Sequence, residues 1–195
     1  FQYSPITSDL ISFNEIEIRL IKESSREIIR NRNIPKNNIN DQIIEAIVLN
    51  YNRTTFDFTP SVILFICGGS IAEDNSFQQL VEWKHKRGYI VVIESLSSIG
   101  SSSTSIKNYI QNAYDNWENP PAFVCLVGDA TGSYSIPTYT EYQSGYNGEG
   151  DHPYTQLDGT DLIPDIALGR LPVRSTNDMA TISAKIIGYE KAYTN

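Results

Sequence analysis

Four carboxylates, Glu149, Asp151, Asp158 and Asp161, are strung through one stretch rich in Gly, Asn and Tyr. A fifth, Asp165, stands directly ahead of the apolar run Ile166-Ala-Leu-Gly-Arg-Leu-Pro-Val173. Two chemistries suit such residues. A carboxylate at the lip of an apolar element is where desolvation and neighbouring charge tune acid–base behaviour. An oxygen-rich polar loop is the ligand chemistry that calcium prefers, which makes Glu149, Asp151, Asp158 and Asp161 calcium candidates, although they do not follow the EF-hand register. The plain alternative is four solvated loop carboxylates. His152, beside Asp151, has the chemistry of a general base, but no Ser or Cys in a nucleophile-elbow context accompanies it. His85, among Lys84, Lys86 and Arg87, reads as a surface residue.

The nucleophile is the missing part. Cys67 and Cys125 both lie inside apolar runs, Val62 to Cys67 and Phe123 to Val127, where a thiol behaves as a small hydrophobe. A reactive Cys needs an exposed, electropositive setting. Two thiols and two histidines so scattered give no zinc spacing. Cys67-Gly68-Gly69-Ser70 follows a strand, and such a turn can cradle phosphate with its N–H groups. With neither a full Gly-x-Gly-x-x-Gly nor a Walker Lys, a tight turn is the better reading. Asp129 ends the Phe123 run at the edge where open α/β sheets keep their sites; it can bind a cation, orient a histidine or cap the turn. Asp178 follows Ser175 by three residues, the spacing of a helix N-cap with an acid near the positive end of the dipole.

These residues need elements to position them. From residue 61 onward the chain repeats apolar strand, turn and amphipathic helix: strand Val62 to Cys67 and helix Phe77 to Lys86, strand Ile90 to Ile93 and helix Ser105 to Trp117, strand Phe123 to Val127, then strand Ile166 to Leu168 and helix Thr176 to Tyr193. This alternation predicts an α/β fold, a mostly parallel sheet with helices on both faces in three layers. Gly88 reads as a helix stop. Ser97 to Thr104 reads as a Ser-rich loop and Ala130 to Pro164 as a long loop, of the kind that is either functional or disordered. Residues 1–22 alternate around Ile16, Ile18 and Leu20 after turn clusters at Ser4-Pro5 and Thr7-Ser8-Asp9, which predicts a hairpin. Residues 23–59 read as a linker with one helix built on Ile43, Ile44, Ile47 and Val48, and residues 60–195 as the α/β unit. Asn52-Arg53-Thr54 has the form of a glycosylation sequon.

Composition excludes some functions. A net charge of -8 with dispersed Lys and Arg argues against a nucleic-acid surface. The apolar runs are far shorter than the roughly 20 residues that cross a bilayer. At 40% hydrophobic and 19% charged, the chain can bury a sizeable core.

Four stretches together resemble the gingipain-type cysteine peptidases, secreted bacterial enzymes with a caspase-like fold: Leu80-Val-Glu-Trp-Lys-His-Lys-Arg-Gly-Tyr89, Ile106 to Tyr114, Phe123-Val-Cys-Leu-Val-Gly-Asp129, and Asp165 to Val173 with the helix ending Tyr189-Glu190-Lys191. The resemblance covers roughly residues 60 to 195 and extends to the hairpin, which is similar to the end of the propeptide-like region of that family. It implies a secreted or cell-surface endopeptidase acting on a peptide or protein substrate. This chain would be the first of two α/β subdomains, with the catalytic His and nucleophilic Cys in the second. On this resemblance Asp165 matches the acid that assists the catalytic His, and Asp178 the acid that selects basic side chains. The expectation is that the chain alone is inert, needs no cofactor, and contributes the cleft wall. A second reading, from a different class, is a non-catalytic binding or adhesion module, with calcium in the loop. The parallel sheet raises a fork: a strand beginning at Ile166 and running parallel puts Asp165 at its amino end, away from Asp129, so either the strand is antiparallel or Asp165 is structural.

Overall fold

The computed structural model describes residues 2–4, 9–11, 47, 60–143 and 145–192. The chain divides into two compact units, Phe1–Asn31 and Arg32–Asn195. In the first, strands β1 (Gln2–Ser4) and β2 (Asp9–Ile11) pair antiparallel, Tyr3 opposite Leu10, on either side of the expected turn clusters. The alternating Ile16 to Leu20 segment, the sequon and all of the linker helix except Ile47 lie outside the described residues; Ile47 is helical and exposed.

In the second unit the elements are β3 (Val62–Cys67), α1 (Asn75–Lys86), β4 (Ile90–Ser95), α2 (Leu96–Ile99), α3 (Ser103–Asn116), β5 (Pro121–Val127), β6 (Tyr139–Gln143), β7 (Tyr146–Gly150), β8 (Ala167–Leu171) and α4 (Thr176–Ala192). Strands β4, β3, β5 and β8, in that spatial order, form a wholly parallel sheet. β3 is central, and all six of its residues are buried, as expected of a strand covered on both faces. Its side chains alternate between two cores. Leu64 and Ile66, with Val124 and Leu126 of β5, pack against Ile106, Ile110 and Ala113 of α3. Ile63, Phe65 and Cys67 turn the other way, against Phe77, Leu80 and Val81 of α1 and Met179 of α4. Right-handed crossovers explain the faces: the chain leaves β3 for one neighbour and then passes back over it to the other, so α1 and α3 fall on opposite sides.

Helix ends follow local chemistry. The Asp74 carboxylate accepts from the N–H groups of Ser76 (2.8 Å) and Phe77 (3.1 Å), starting α1 two residues earlier than its hydrophobic period shows. Lys84, His85 and Lys86 fill its last turn, favourably placed for the negative end of the dipole, and Gly88 follows at a φ of 89°. Ser102 caps α3 by accepting from Ser105 N–H at 3.0 Å.

Two expected loops contain regular structure. The Ser-rich segment includes the short helix α2, and the long loop carries the antiparallel pair β6–β7, with Tyr142 opposite Asn147, followed by a 3₁₀ turn at His152–Thr155. That loop also does the work of a crossover helix. Ile136, Tyr154, Leu157 and Ile166 are buried in the α3-side core, and the Tyr154 hydroxyl donates to Pro137 O at 2.7 Å. Among the described residues, no helix is long and apolar enough to cross a membrane.

Candidate functional site

β3 is the topological switch point of the sheet, since its neighbours β4 and β5 are reached by crossovers in opposite directions. In open α/β sheets the crevice for a ligand opens at such a point, beyond the carboxyl ends of the strands. Here the ends of β3 and β5 are Gly68 and Gly128, and the crevice is filled by the protein's own loop. A Cβ at Gly68 would lie 2.1 Å from the Tyr134 carbonyl oxygen, and one at Gly128 would lie 2.0 Å from the same atom. Ile136 N–H donates to Asp129 O at 2.8 Å, and Gly68 N–H to Val127 O at 3.0 Å. The Cys67-Gly68-Gly69-Ser70 turn is therefore a docking place for backbone. It has no room to serve as a phosphate cradle.

Arg170 clamps this plug. Its Nε and Nη2 donate to both Asp151 oxygens at 2.7 Å, and its Nη1 donates to Gly128 O (2.9 Å) and Ile136 O (3.0 Å). All three guanidinium nitrogens are satisfied, in the two-pronged geometry that makes Arg–carboxylate pairs strong. Sequence reasoning passed over Arg170 because it sits within an apolar strand; the signal was that an arginine there must find buried acceptors.

Asp129 closes the same edge. Its Oδ1 accepts from Ala130 N–H at 2.8 Å, and its Oδ2 pairs with the Arg174 guanidinium. The Arg174 hydrogen bond, reinforced by that from Ala130, holds its carboxyl below the usual carboxylate range. The neighbouring Asp178 accepts from Arg174 N–H at 3.0 Å, and its own N–H donates to Ser175 Oγ at 3.2 Å, so it occupies the expected place in the first turn of α4. These contacts, the Arg174 N–H bond first, hold its carboxyl down as well.

The structure separates the remaining candidates. β8 runs parallel to β5, with Phe123 opposite Ala167, so Asp165 precedes the amino end of its strand. Six residues at about 3.3 Å each put it roughly 20 Å from the carboxyl edge. Its Oδ2 accepts from Leu157 N–H (2.7 Å) and Asp158 N–H (2.8 Å), and its N–H donates to Thr155 O (2.9 Å). Of the fork stated above, the parallel arm holds, and the contacts of Asp165 are those of a residue closing its own loop.

The four calcium candidates do not converge. Glu149 lies exposed on β7 opposite Thr140, Asp151 is paired with Arg170, and Asp161 Oδ1 accepts from Ile163 N–H at 2.8 Å. Asp158 lies exposed on the loop that Asp165 closes. Among the described residues, no group of three or more His, Cys, Asp or Glu is placed to hold a metal. His152 meets Leu162 O at 3.0 Å through Nε2, and His85 is exposed on α1.

Both cysteines are free and lie within the sheet on the α1/α4 side. Burial pushes both thiols up, Cys125 to about 12 and Cys67 further still. A thiol so held is almost wholly protonated at neutral pH and is a poor nucleophile.

The profile of peptidase family C25 matches residues 57–195. Gingipain R2 of Porphyromonas gingivalis is 26% identical over 204 residues, covering 99% of this chain and 26% of that protein. Among solved structures, the complex of Porphyromonas gingivalis RgpB pro- and mature domains superposes with a TM-score of 0.57 at 25% identity, over 66% of this chain and 29% of that one. The crystal structure of the Arg specific cysteine proteinase gingipain R superposes with a TM-score of 0.56 at 23% identity, over 71% and 30%, a likeness of fold. The chain thus spans about a quarter of the length of the relative it matches.

Proposed function

The chain belongs to peptidase family C25, and on that premise we propose that it forms one α/β subdomain of a secreted cysteine endopeptidase. It walls the cleft for a peptide substrate, while a second subdomain supplies the nucleophilic Cys and the catalytic His. The observation that carries this reading is the setting of the two thiols: the fold of the family is present, but Cys67 is buried in the sheet, Cys125 partly so, and burial pushes both thiols up. Acyl transfer needs a thiolate, a base to generate it and donors for the oxyanion. Neither sulfur here can supply the first.

Within the cleft wall we assign Asp178 to substrate. It sits in the first turn of α4 beside the Asp129–Arg174 pair, half-exposed and held ionised, so it offers a fixed negative charge to a basic side chain. Asp165 takes a different role from the one its family position suggests. Two backbone donors engage it at the amino side of the sheet, which supports a loop-closing function over the orientation of a histidine. Calcium is not carried into this proposal, because Arg170 already neutralises Asp151.

The test is the parent protein assayed on peptides with Arg, Lys or norleucine ahead of the scissile bond. Thiol-dependent cleavage is expected, with Asp178→Asn lowering kcat/KM for the basic substrates by about a hundredfold, roughly the 3 kcal/mol of a lost charge pair. A parent with no thiol-dependent cleavage would leave the non-catalytic binding module as the correct reading.

A further inference from the structure

On the β4 side of the sheet lies a groove that the peptidase reading does not use. Among the described residues β4 is the edge strand, and its penultimate residue, Glu94, stands opposite Ile66 on the α3 side. Beside it, α3 presents two stripes. Ile106, Ile110 and Ala113 form the buried one. The other, Ser105, Asn108, Tyr109 and Asn112, recurs at i, i+3, i+4 and i+7 and so lies along one helical face. With Glu94 and Ser98 these residues line a groove of about 540 Å³.

The groove is prepared around its carboxylate. The Tyr109 hydroxyl donates to Glu94 Oε1 at 2.9 Å, and the Tyr109 ring is braced edge-on by Trp117 at 6.2 Å between centroids. Burial and the Glu94 contact raise the Tyr109 hydroxyl to about 12, so it remains a donor throughout the neutral range. Glu94 Oε2 has no donor, and no Lys or Arg pairs with Glu94, among the described residues. The lysine on the same helix, Lys107, is turned away to Pro153 O at 2.7 Å. The rest of the lining is the hydroxyl and amide groups of Ser98, Ser105, Asn108 and Asn112, which accept hydrogen bonds as well as donate them, and the aliphatic Ile99.

We propose that this groove binds an organic cation, the ammonium or guanidinium group of a peptide, with Glu94 Oε2 as its counter-charge and Asn108, Asn112 and Ser98 as further acceptors. The opposing effect is the positive amino end of α3, which begins at Ser103. That field fades within the first turn, whereas Glu94 meets the helix at Tyr109, in its second turn. A single carboxylate near a protein surface attracts a cation about 4 Å away and repels an anion, which sets the sign of the ligand. The groove lies apart from Asp178, across the sheet on β4 and α3, and the proposal does not depend on peptidase activity.

The experiment is NMR or calorimetric titration of the 195-residue chain with three capped tripeptides. Acetyl-Gly-Lys-Gly-amide supplies a side-chain ammonium, uncapped Gly-Gly-Gly-amide a terminal one, and acetyl-Gly-norleucine-Gly-amide none. Saturable binding of one or both amines is expected, with shifts at Tyr109 and Asn112, at least tenfold weaker in Glu94→Gln and unchanged in Glu82→Gln, an exposed acid on α1. Which amine binds more tightly identifies the source of the cation. Glu94→Gln keeps an acceptor for the Tyr109 hydroxyl, so its fold is expected to persist; Asn112→Ala, weakening binding severalfold, provides a second reading. Equal binding of the norleucine peptide, an unaltered Glu94→Gln, an equal loss in Glu82→Gln, or no binding at all would overturn the proposal.

Discussion

At the scale of single residues, Arg170 carries more of the structure than its position in a strand would suggest. It joins the carboxyl end of β5, the plug at Ile136 and the 3₁₀ turn that follows Asp151 through four hydrogen bonds. Arg170→Ala leaves Asp151 largely sheltered without its counter-charge and two carbonyls without a donor, so a loss of about 3 kcal/mol is expected in urea unfolding. Asp129 and Asp178 give the pH dependence its sign. Both carboxyls are held down by contacts to Arg174 in the folded chain. The stability they contribute is therefore present above the unfolded carboxyl value of about 4 and is lost as pH falls through the folded values. The urea midpoint should fall below about pH 4, and Asp129→Asn should flatten that fall; an unchanged pH profile in the variant would contradict the assignment. Asp178 was legible in the sequence as a cap because capping is local. The end of the sheet at which Asp165 stands stayed a fork, since the direction of its strand is set by pairing with β5 and leaves no mark on the pattern of Ile166 to Val173.

At the scale of elements, the glycines at the ends of β3 and α1 separate two causes of strain. Gly68 has no left-handed φ, but a Cβ there would lie 2.1 Å from the Tyr134 carbonyl oxygen, whereas Gly88 has a φ of 89° and open space where a Cβ would go. Gly88→Ala should cost about 1 kcal/mol, the penalty of a left-handed residue. Gly68→Ala should cost more than twice as much, because a backbone carbonyl has to move, and should loosen the loop from Tyr134 to Ile136, seen as faster hydrogen exchange at Ile136 N–H. Strands β3 and β5 and helices α1, α3 and α4 were legible because each is a continuous apolar run or a clear helical period. The pair β6–β7 was not: Tyr146-Asn-Gly-Glu-Gly150 holds two glycines and no β-branched residue, and only Gly145, at a φ of 89°, marks the turn. Equally, nothing local announced that Tyr154 and Leu157 would substitute for a crossover helix, which is a property of the face they cover.

At the scale of the whole molecule, the proposed function is that of a scaffold walling a substrate cleft, with the reactive sulfur supplied from elsewhere. The three layers bury Cys67 against α1 and α4 and partly bury Cys125, so Cys67 should resist alkylation until the fold opens. The most direct measurement is therefore to incubate the folded 195-residue chain with fluorogenic Arg and Lys peptide substrates and with iodoacetamide, reading turnover and labelled cysteines together. The proposed scaffold role predicts no turnover, and labelling of Cys67 only in denaturant. Turnover abolished by alkylation of either cysteine in the folded chain would contradict it.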